Sequence, residues 1–189
     1  MTERTDEELM SAYVRGDERA FEGLFARLAP RVHGFFLRAF GNRQVADDLL
    51  QTTFLKLHRA RADYRSGAPV RPWLFAIAAR VRFDELRRRY RLAEDADEDK
   101  LEAAQAAAAL AQEEPDPGTA DLVARVRAAL ERLPESQRTV IHLHRYEEMT
   151  FAEIAKVLGT TEGAIKLRAF RAYERLRKDL ASLLAKEAA

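Results

Sequence analysis

The chain has no cysteine among its 189 residues. That absence removes disulfides, thiolate metal sites, a cysteine nucleophile and thiol-based sensing together. Glycine and proline are scarce, at eight and six residues, and no glycine-rich loop of the phosphate-cradling kind occurs. No apolar run approaches the roughly 18 residues that a bilayer demands, so membrane insertion is not expected. The N-terminus, Met1-Thr2-Glu3-Arg4-Thr5-Asp6-Glu7-Glu8, is acidic and lacks the apolar core of a secretion signal, which makes the cytoplasm the expected location. Histidine is rare as well. His33, His58, His142 and His144 show no helical spacing that would pair two histidines with a carboxylate. His142 and His144 are two apart and so point to different helix faces. All four read as surface or boundary residues. With no acid–base pair, metal set or nucleophile constellation, an enzyme is unexpected, as are cofactors and a small-molecule substrate.

What is abundant is Ala, Leu, Arg and Glu, all good helix formers. With 47% hydrophobic and 33% charged residues, the expectation is a soluble all-α protein. The formal net charge of +1 conceals strong segregation. Arg71 to Arg91 carries seven arginines against Asp84 and Glu85. Glu94 to Pro117 carries nine acidic residues against Lys100, and Ala164 to Lys178 carries six basic residues against Glu174. Two basic blocks separated by an acidic one fit a protein that meets nucleic acid at two places.

The acidic stretch also marks a break in organisation. Glu94–Lys100 is a charge run, Ala103–Ala111 is almost pure Ala, and Glu113-Glu114-Pro115-Asp116-Pro117-Gly118 cannot continue a helix. Residues 92–118 therefore read as a flexible acidic and Ala-rich linker between two small helical domains, 5–91 and 119–184. In the first, the pattern predicts helices at Asp6–Arg15, at Ala20–Phe40 with an interruption at Pro30, at Gln44–Ala62 and at Pro72–Tyr90. In the second it predicts Thr119–Arg132, Pro134–Tyr146, Phe151–Val157 and Glu162–Arg177.

The last two of these form the most specific local signal, a helix-turn-helix. Thr150 with Glu153 makes a capping box, Ile154, Ala155 and Leu158 give a packing face, and Gly159 supplies the turn. Thr161 can cap the second helix, with Glu162 in its first turn. At 100° per residue, Ile165, Ala169, Ala172 and Leu176 fall on one buried stripe. Leu167, Phe170, Arg171 and Glu174 fall opposite, flanked by Lys166, Arg168 and Arg175. Such a face suits a major groove, with Arg on guanine, apolar groups on thymine methyls and flanking cations on phosphates.

Two other segments admit more than one reading. In Pro72–Tyr90, Trp73, Leu74, Ile77 and Val81 make one apolar stripe and Phe75, Ala79, Phe83, Leu86 and Tyr90 another, with Arg80, Asp84 and Arg87 between them. That is the pattern of a well-buried helix with a charged end. Yet Arg87-Arg88-Arg89 together with Tyr64, Trp73 and Phe75 also has the basic and aromatic character that unstacked bases require. In Gln44–Ala62, Val45, Leu49, Thr53, Leu57 and Ala60 face inward. Asp48, Gln51 and Leu55 share the outer side, with Asp47, His58 and Arg59 at its margins. An exposed Leu among carboxylates suits a protein partner with basic and apolar groups, although single exposed leucines are common.

Three motifs in order carry a family resemblance: Ala46-Asp47-Asp48-Leu49-Leu50-Gln51-Thr52-Thr53-Phe54; then Arg71-Pro72-Trp73-Leu74-Phe75-Ala76-Ile77-Ala78 followed by Asp84-Glu85-Leu86-Arg87-Arg88; then Leu133-Pro134-Glu135-Ser136-Gln137-Arg138 with Phe151-Ala152-Glu153-Ile154-Ala155 and Leu158-Gly159. Together, over nearly everything but the linker, they resemble bacterial RNA polymerase sigma factors of the compact extracytoplasmic-function type. The resemblance implies a region 2 bundle, a region 4 helix-turn-helix bundle and two principal partners, core RNA polymerase and promoter DNA. It implies that Asp47, Asp48, Gln51 and Leu55 dock on the polymerase. It implies that Tyr64, Arg65, Trp73, Phe75, Arg80, Asp84, Arg87 and Arg88 serve the melted −10 element, and that Thr161, Lys166, Leu167, Arg168, Phe170, Arg171 and Arg175 read the duplex −35 element. Such factors are commonly held by an anti-sigma factor, and their linkers thread the polymerase's RNA-exit path. Arg80 departs from the family's frequent Asn, Leu167 from a small polar residue and Phe170 from His, so a more apolar −35 contact is expected. Two other classes remain beside this one. A one-component regulator would use its first domain to sense a ligand or dimerise, and a protein-binding adaptor would have little use for a capped basic helix.

Overall fold

The computed structural model describes residues 4–94 and 120–187. The chain forms two compact units, Met1–Gln112 and Glu113–Ala189, and the structure is all-α. The expected linker lies, past Glu94, outside the described residues.

The first unit is a four-helix arrangement: α1 (Asp6–Val14), α2 (Glu18–Phe40), α3 (Arg43–Arg59) and α4 (Val70–Glu94), with a short 3₁₀ turn at Arg61–Asp63. Each of the first three helices begins with a side-chain cap. Thr5 and Glu8 form a reciprocal capping box, Asp17 accepts from the Ala20 amide, and Asn42 accepts from the Val45 amide, so orphan N–H groups at each start are satisfied. Gly16 and Asp17 thus act as turn and cap, and α2 begins two residues before the expected Ala20. The interruption expected at Pro30 does not occur; α2 runs unbroken through it. Ala26 and Pro30 are both exposed, so the carbonyl that loses its partner faces solvent. Leu24, Leu28, Val32, Phe35 and Phe36 are meanwhile buried along the other side, and their burial holds the helix on both flanks of the proline. Gly41 ends α2 at φ +62°, a left-handed position where Gly carries no Cβ penalty.

The second unit contains α5 (Ala120–Glu131), α6 (Glu135–Arg145), α7 (Phe151–Leu158) and α8 (Glu162–Glu187). Its core joins Leu133, Ile141 and Ala172, with Leu130 and Leu176 packed against them. Arg138 ties the α5–α6 corner by hydrogen bonds to Glu135, at 2.7 Å and 3.1 Å, and to the Glu131 carbonyl at 3.4 Å. His142 is buried at the core with its ring edge-on to Tyr146. This corrects the surface or boundary reading: this stretch of α6 is covered on all sides, with Thr139, Val140, Ile141 and Leu143 buried as well.

Between α6 and α7 the chain reverses through Glu148, the one non-glycine residue with positive φ (+55°) among those described. The Met149 amide donates to the Leu143 carbonyl at 3.1 Å and the Tyr146 amide to His142 at 3.0 Å, closing the helix end. A left-handed residue with a Cβ is strained, and Glu148 is exposed, so little packing offsets the strain. Glu148→Gly is therefore expected to raise the free energy of unfolding by about 0.5–1 kcal/mol, and Glu148→Val to lower it. Urea titrations of the two variants check the sign.

Candidate nucleic-acid interface

The helix-turn-helix is built as its residues require. Thr150 accepts from the Glu153 amide at 3.2 Å while Glu153 accepts from the Thr150 amide at 2.8 Å. Gly159 turns the chain at φ +62°, and Thr161 accepts from the Ala164 amide at 3.2 Å to start α8. Ile154, Ala155 and Val157 are the buried positions of α7; Leu158, expected to share that face, is half-buried. Facing them, Ile165, Ala169 and Ala172 are at most 2% exposed. Two alanines on the inner stripe let α8 approach its neighbours closely.

The outer side of α8 presents Leu167 at 48% exposure and Phe170 at 64%, beside exposed Arg171 and Arg175 and half-buried Arg168. Lys166 is held by Glu162 at 2.7 Å, and Glu174 takes Arg177 at 3.1 Å. Arg168, Arg171 and Arg175 have no ion-pair partner among the described residues. Tyr173, one turn beyond Phe170, is also 40% exposed, a neighbour that the i, i+3 rule could have added. The helix continues ten residues past the expected Arg177.

On the first unit, the residues associated with melted DNA divide sharply. Phe75 is wholly buried, packed edge-on against Phe35 at 5.6 Å between centroids; as placed, it is a core residue and not a base contact. Tyr64 is 7% exposed, and its hydroxyl donates to the Ala68 carbonyl. Trp73 is half-buried against Tyr64, at 5.3 Å between ring centroids. These three rings do not lie beside Arg87-Arg88-Arg89, because Trp73 and Arg87 are 14 positions apart on one helix, about 21 Å along its axis. Tyr90, expected on a buried stripe, is 74% exposed. Its period is that of the buried side, but α4 has run past the bundle; the last ring contact of α4 with α2 is Arg89 over Phe40, at 4.7 Å.

The arginine-rich helix offers less free charge than its composition suggests. Arg82 is 0% exposed, its guanidinium over Phe35 at 4.9 Å. Glu85, itself buried, binds Arg88 twice (2.7 Å and 2.8 Å) and Arg89 once (2.7 Å). Asp84 takes Arg87 at 2.5 Å and reaches Lys56 of α3 at 3.5 Å. The hydrogen bond from Arg87 holds the Asp84 carboxyl below its ordinary range, with Lys56 helping. Burial pushes Glu85 upward, but the bonds from Arg88 and Arg89 outweigh it and its carboxyl also sits low. Arg65, Arg80 and Arg91 are exposed and have no ion-pair partner among the described residues.

On α3, Leu49, Thr53, Phe54 and Leu57 are buried, while Asp47, Asp48, Gln51 and Leu55 are all exposed, Leu55 at 49%. Asp47 lies 3.2 Å from His33 Nε2 of α2. The four therefore occupy one outer surface, with an apolar side chain amid acceptors. No helix among the described residues is long and apolar enough to cross a membrane.

The chain thus carries a four-helix bundle and a helix-turn-helix bundle. Residues 24–92 match the Sigma-70 region 2 family and residues 124–176 match Sigma-70, region 4. The RNA polymerase sigma factor CarQ of Myxococcus xanthus is 39% identical over 174 residues, covering 92% of this chain and 97% of its own. The ECF sigma factor SigM of Mycobacterium tuberculosis is 33% identical, covering 96% and 87%. Among solved structures, CnrH in complex with the cytosolic domain of CnrY superposes with a TM-score of 0.69 at 26% identity, covering 94% of this chain and 97% of that one. The chain belongs to the extracytoplasmic-function RNA polymerase sigma factors. It is a sigma factor that binds core polymerase and directs initiation at particular promoters, within a family of non-catalytic initiation factors.

The Glu85 cluster has a definite pH signature. A carboxyl held low in the folded state contributes stability that is present above its unfolded pKa and lost as pH falls through the folded value. Glu85→Gln should therefore destabilise the chain most near neutrality, with the difference from wild type shrinking between about pH 6 and pH 3. Urea midpoints measured across that range test it; a constant difference would exclude the ionised cluster as the cause.

Proposed function

We propose that the outer face of α8 reads the −35 element through a mixed apolar and cationic contact, the exposed Leu167–Phe170 pair being the observation that carries the reading. Arg171 and Arg175, with Arg168 at their side, are the cations available for guanine or phosphate. Leu167 and Phe170 suit thymine methyls. Thr161 positions the start of the helix as its cap, and Lys166 acts at the margin after leaving Glu162. Arg80 of α4 and Arg65 in the loop before it supply charge toward the −10 strand, with Trp73 at its edge. Asp84 restrains Arg87, and Glu85 restrains Arg88. Asp47, Asp48, Gln51 and Leu55 form the polymerase-docking face, where Leu55 would enter an apolar site and the carboxylates would meet basic groups. The chain makes no bond itself, works in the cytoplasm and has an anti-sigma factor as its natural antagonist; family membership supports each of these.

Two measurements test the proposal. Leu55→Arg should abolish co-purification with core polymerase while leaving thermal stability unchanged, because Leu55 is half exposed. Retained co-purification would remove α3 from the docking role. In a binding selection on randomised duplexes, Leu167→Ser should relax preference for A·T pairs within the −35 element, by about 1–3 kcal/mol per lost contact. An unchanged preference would eliminate the methyl contact.

A further inference from the structure

Of the aromatic side chains in the segment from Tyr64 to Tyr90, one presents its ring to solvent. Tyr64 is buried with its hydroxyl engaged, Phe75 is in the core and Trp73 is half-covered by Tyr64. Phe83 is also half-buried. Tyr90 alone is open, at 74% exposure. It lies one turn after Arg87 and next to Arg91, and both arginines are exposed. Arg91 has no ion-pair partner among the described residues, whereas Arg88 and Arg89 are turned to Glu85. An exposed ring flanked by cations is the arrangement on which unpaired bases stack while the backbone follows the charges.

We propose that Tyr90, with Arg91 and Arg87, is a stacking platform for an unpaired base at the far end of α4, distinct from the Tyr64–Trp73 pair. The proposal rests on the reading of α4 as the helix that meets melted DNA, and it moves the accessible stacking site about 26 Å along the axis from Trp73, 17 residues away. Stacking on a ring face tolerates any base, so the platform adds affinity for single strands and contributes little to sequence preference.

The test uses the full-length chain and two probes, a fluorescent dT20 strand and the dT20·dA20 duplex, followed by anisotropy. Tyr90→Ala should weaken binding to the single strand by roughly fivefold or more and leave duplex binding within twofold, whereas Tyr90→Trp should retain it. Thermal unfolding of Tyr90→Ala should match wild type, since the side chain is 74% exposed. The platform is overturned if the wild-type chain does not bind dT20, if Tyr90→Ala binds it normally, if both probes weaken equally, or if the variant melts several degrees lower. Failure of the α4 reading is distinguished by Arg80→Ala and Trp73→Ala: if neither affects dT20 but Tyr90→Ala does, the platform stands and the reading of the rest of α4 falls.

Discussion

Phe35 fixes the rotation of the helix on which the first unit's function turns. Its ring meets Phe75 edge-on and the Arg82 guanidinium face-on, and these two residues are seven apart, two turns along the same line of α4. One aromatic of α2 therefore clamps α4 at two heights. With that line inward, 100° per residue sends Arg80, Asp84, Arg87 and Arg91 to the opposite side. The exposed charges of this helix owe their direction to a packing contact in the core, and any rotation would exchange Arg82 for one of them. A buried guanidinium is costly unless its surroundings suit it, and the π face of Phe35 is part of what suits Arg82.

The second constraint is local pairing. Composition over Arg71–Arg91 reads as a strongly positive block, yet Glu85 takes two of the arginines, Asp84 takes a third and the core takes Arg82. What remains toward solvent is a sparse row at Arg80 and Arg91, with Arg87 tethered. Recognition of a flexible strand benefits from this sparseness, because restrained cations present defined positions instead of a diffuse field. In α8 the same principle applies in reverse. Glu162 and Glu174 engage Lys166 and Arg177, while Arg168, Arg171 and Arg175 in the middle of the helix have no ion-pair partner among the described residues.

Much of this was legible in the residues because caps and periods are local properties. The Thr150–Glu153 box, the Gly159 turn and the Ile165–Ala169–Ala172 stripe each depend on residues within one or two turns, and each stands where the pattern put it. The exposed Asp48–Gln51–Leu55 face of α3 was equally readable from its period. What escaped depended on contacts distant in sequence. An aromatic at helical spacing shows which line it belongs to but not whether a partner covers that line, so Phe75 read as a site residue and Tyr90 as core. Arg82 escaped for the same reason, since the pattern could not announce Phe35 beneath it. Pro30 misled because a missing hydrogen bond is a local cost, while the burial that outweighs it is spread over five side chains of α2.

The proposed DNA contacts of the two units differ in chemistry, and the difference follows from how their helices are covered. α8 is packed along one stripe and free along the other, so it presents a continuous outer face whose residues repeat at groove-compatible spacing; such a face can read a duplex without unfolding it. α4 is covered along most of its length, and its open parts are a row of cations and a ring at its end. A surface of that kind has few groups to read base edges in a paired duplex, but it can hold a strand once the pairs part. On the reading proposed above, discrimination among promoters falls chiefly to Leu167, Phe170 and Arg171. On the same reading, capture of the opened strand falls to α4.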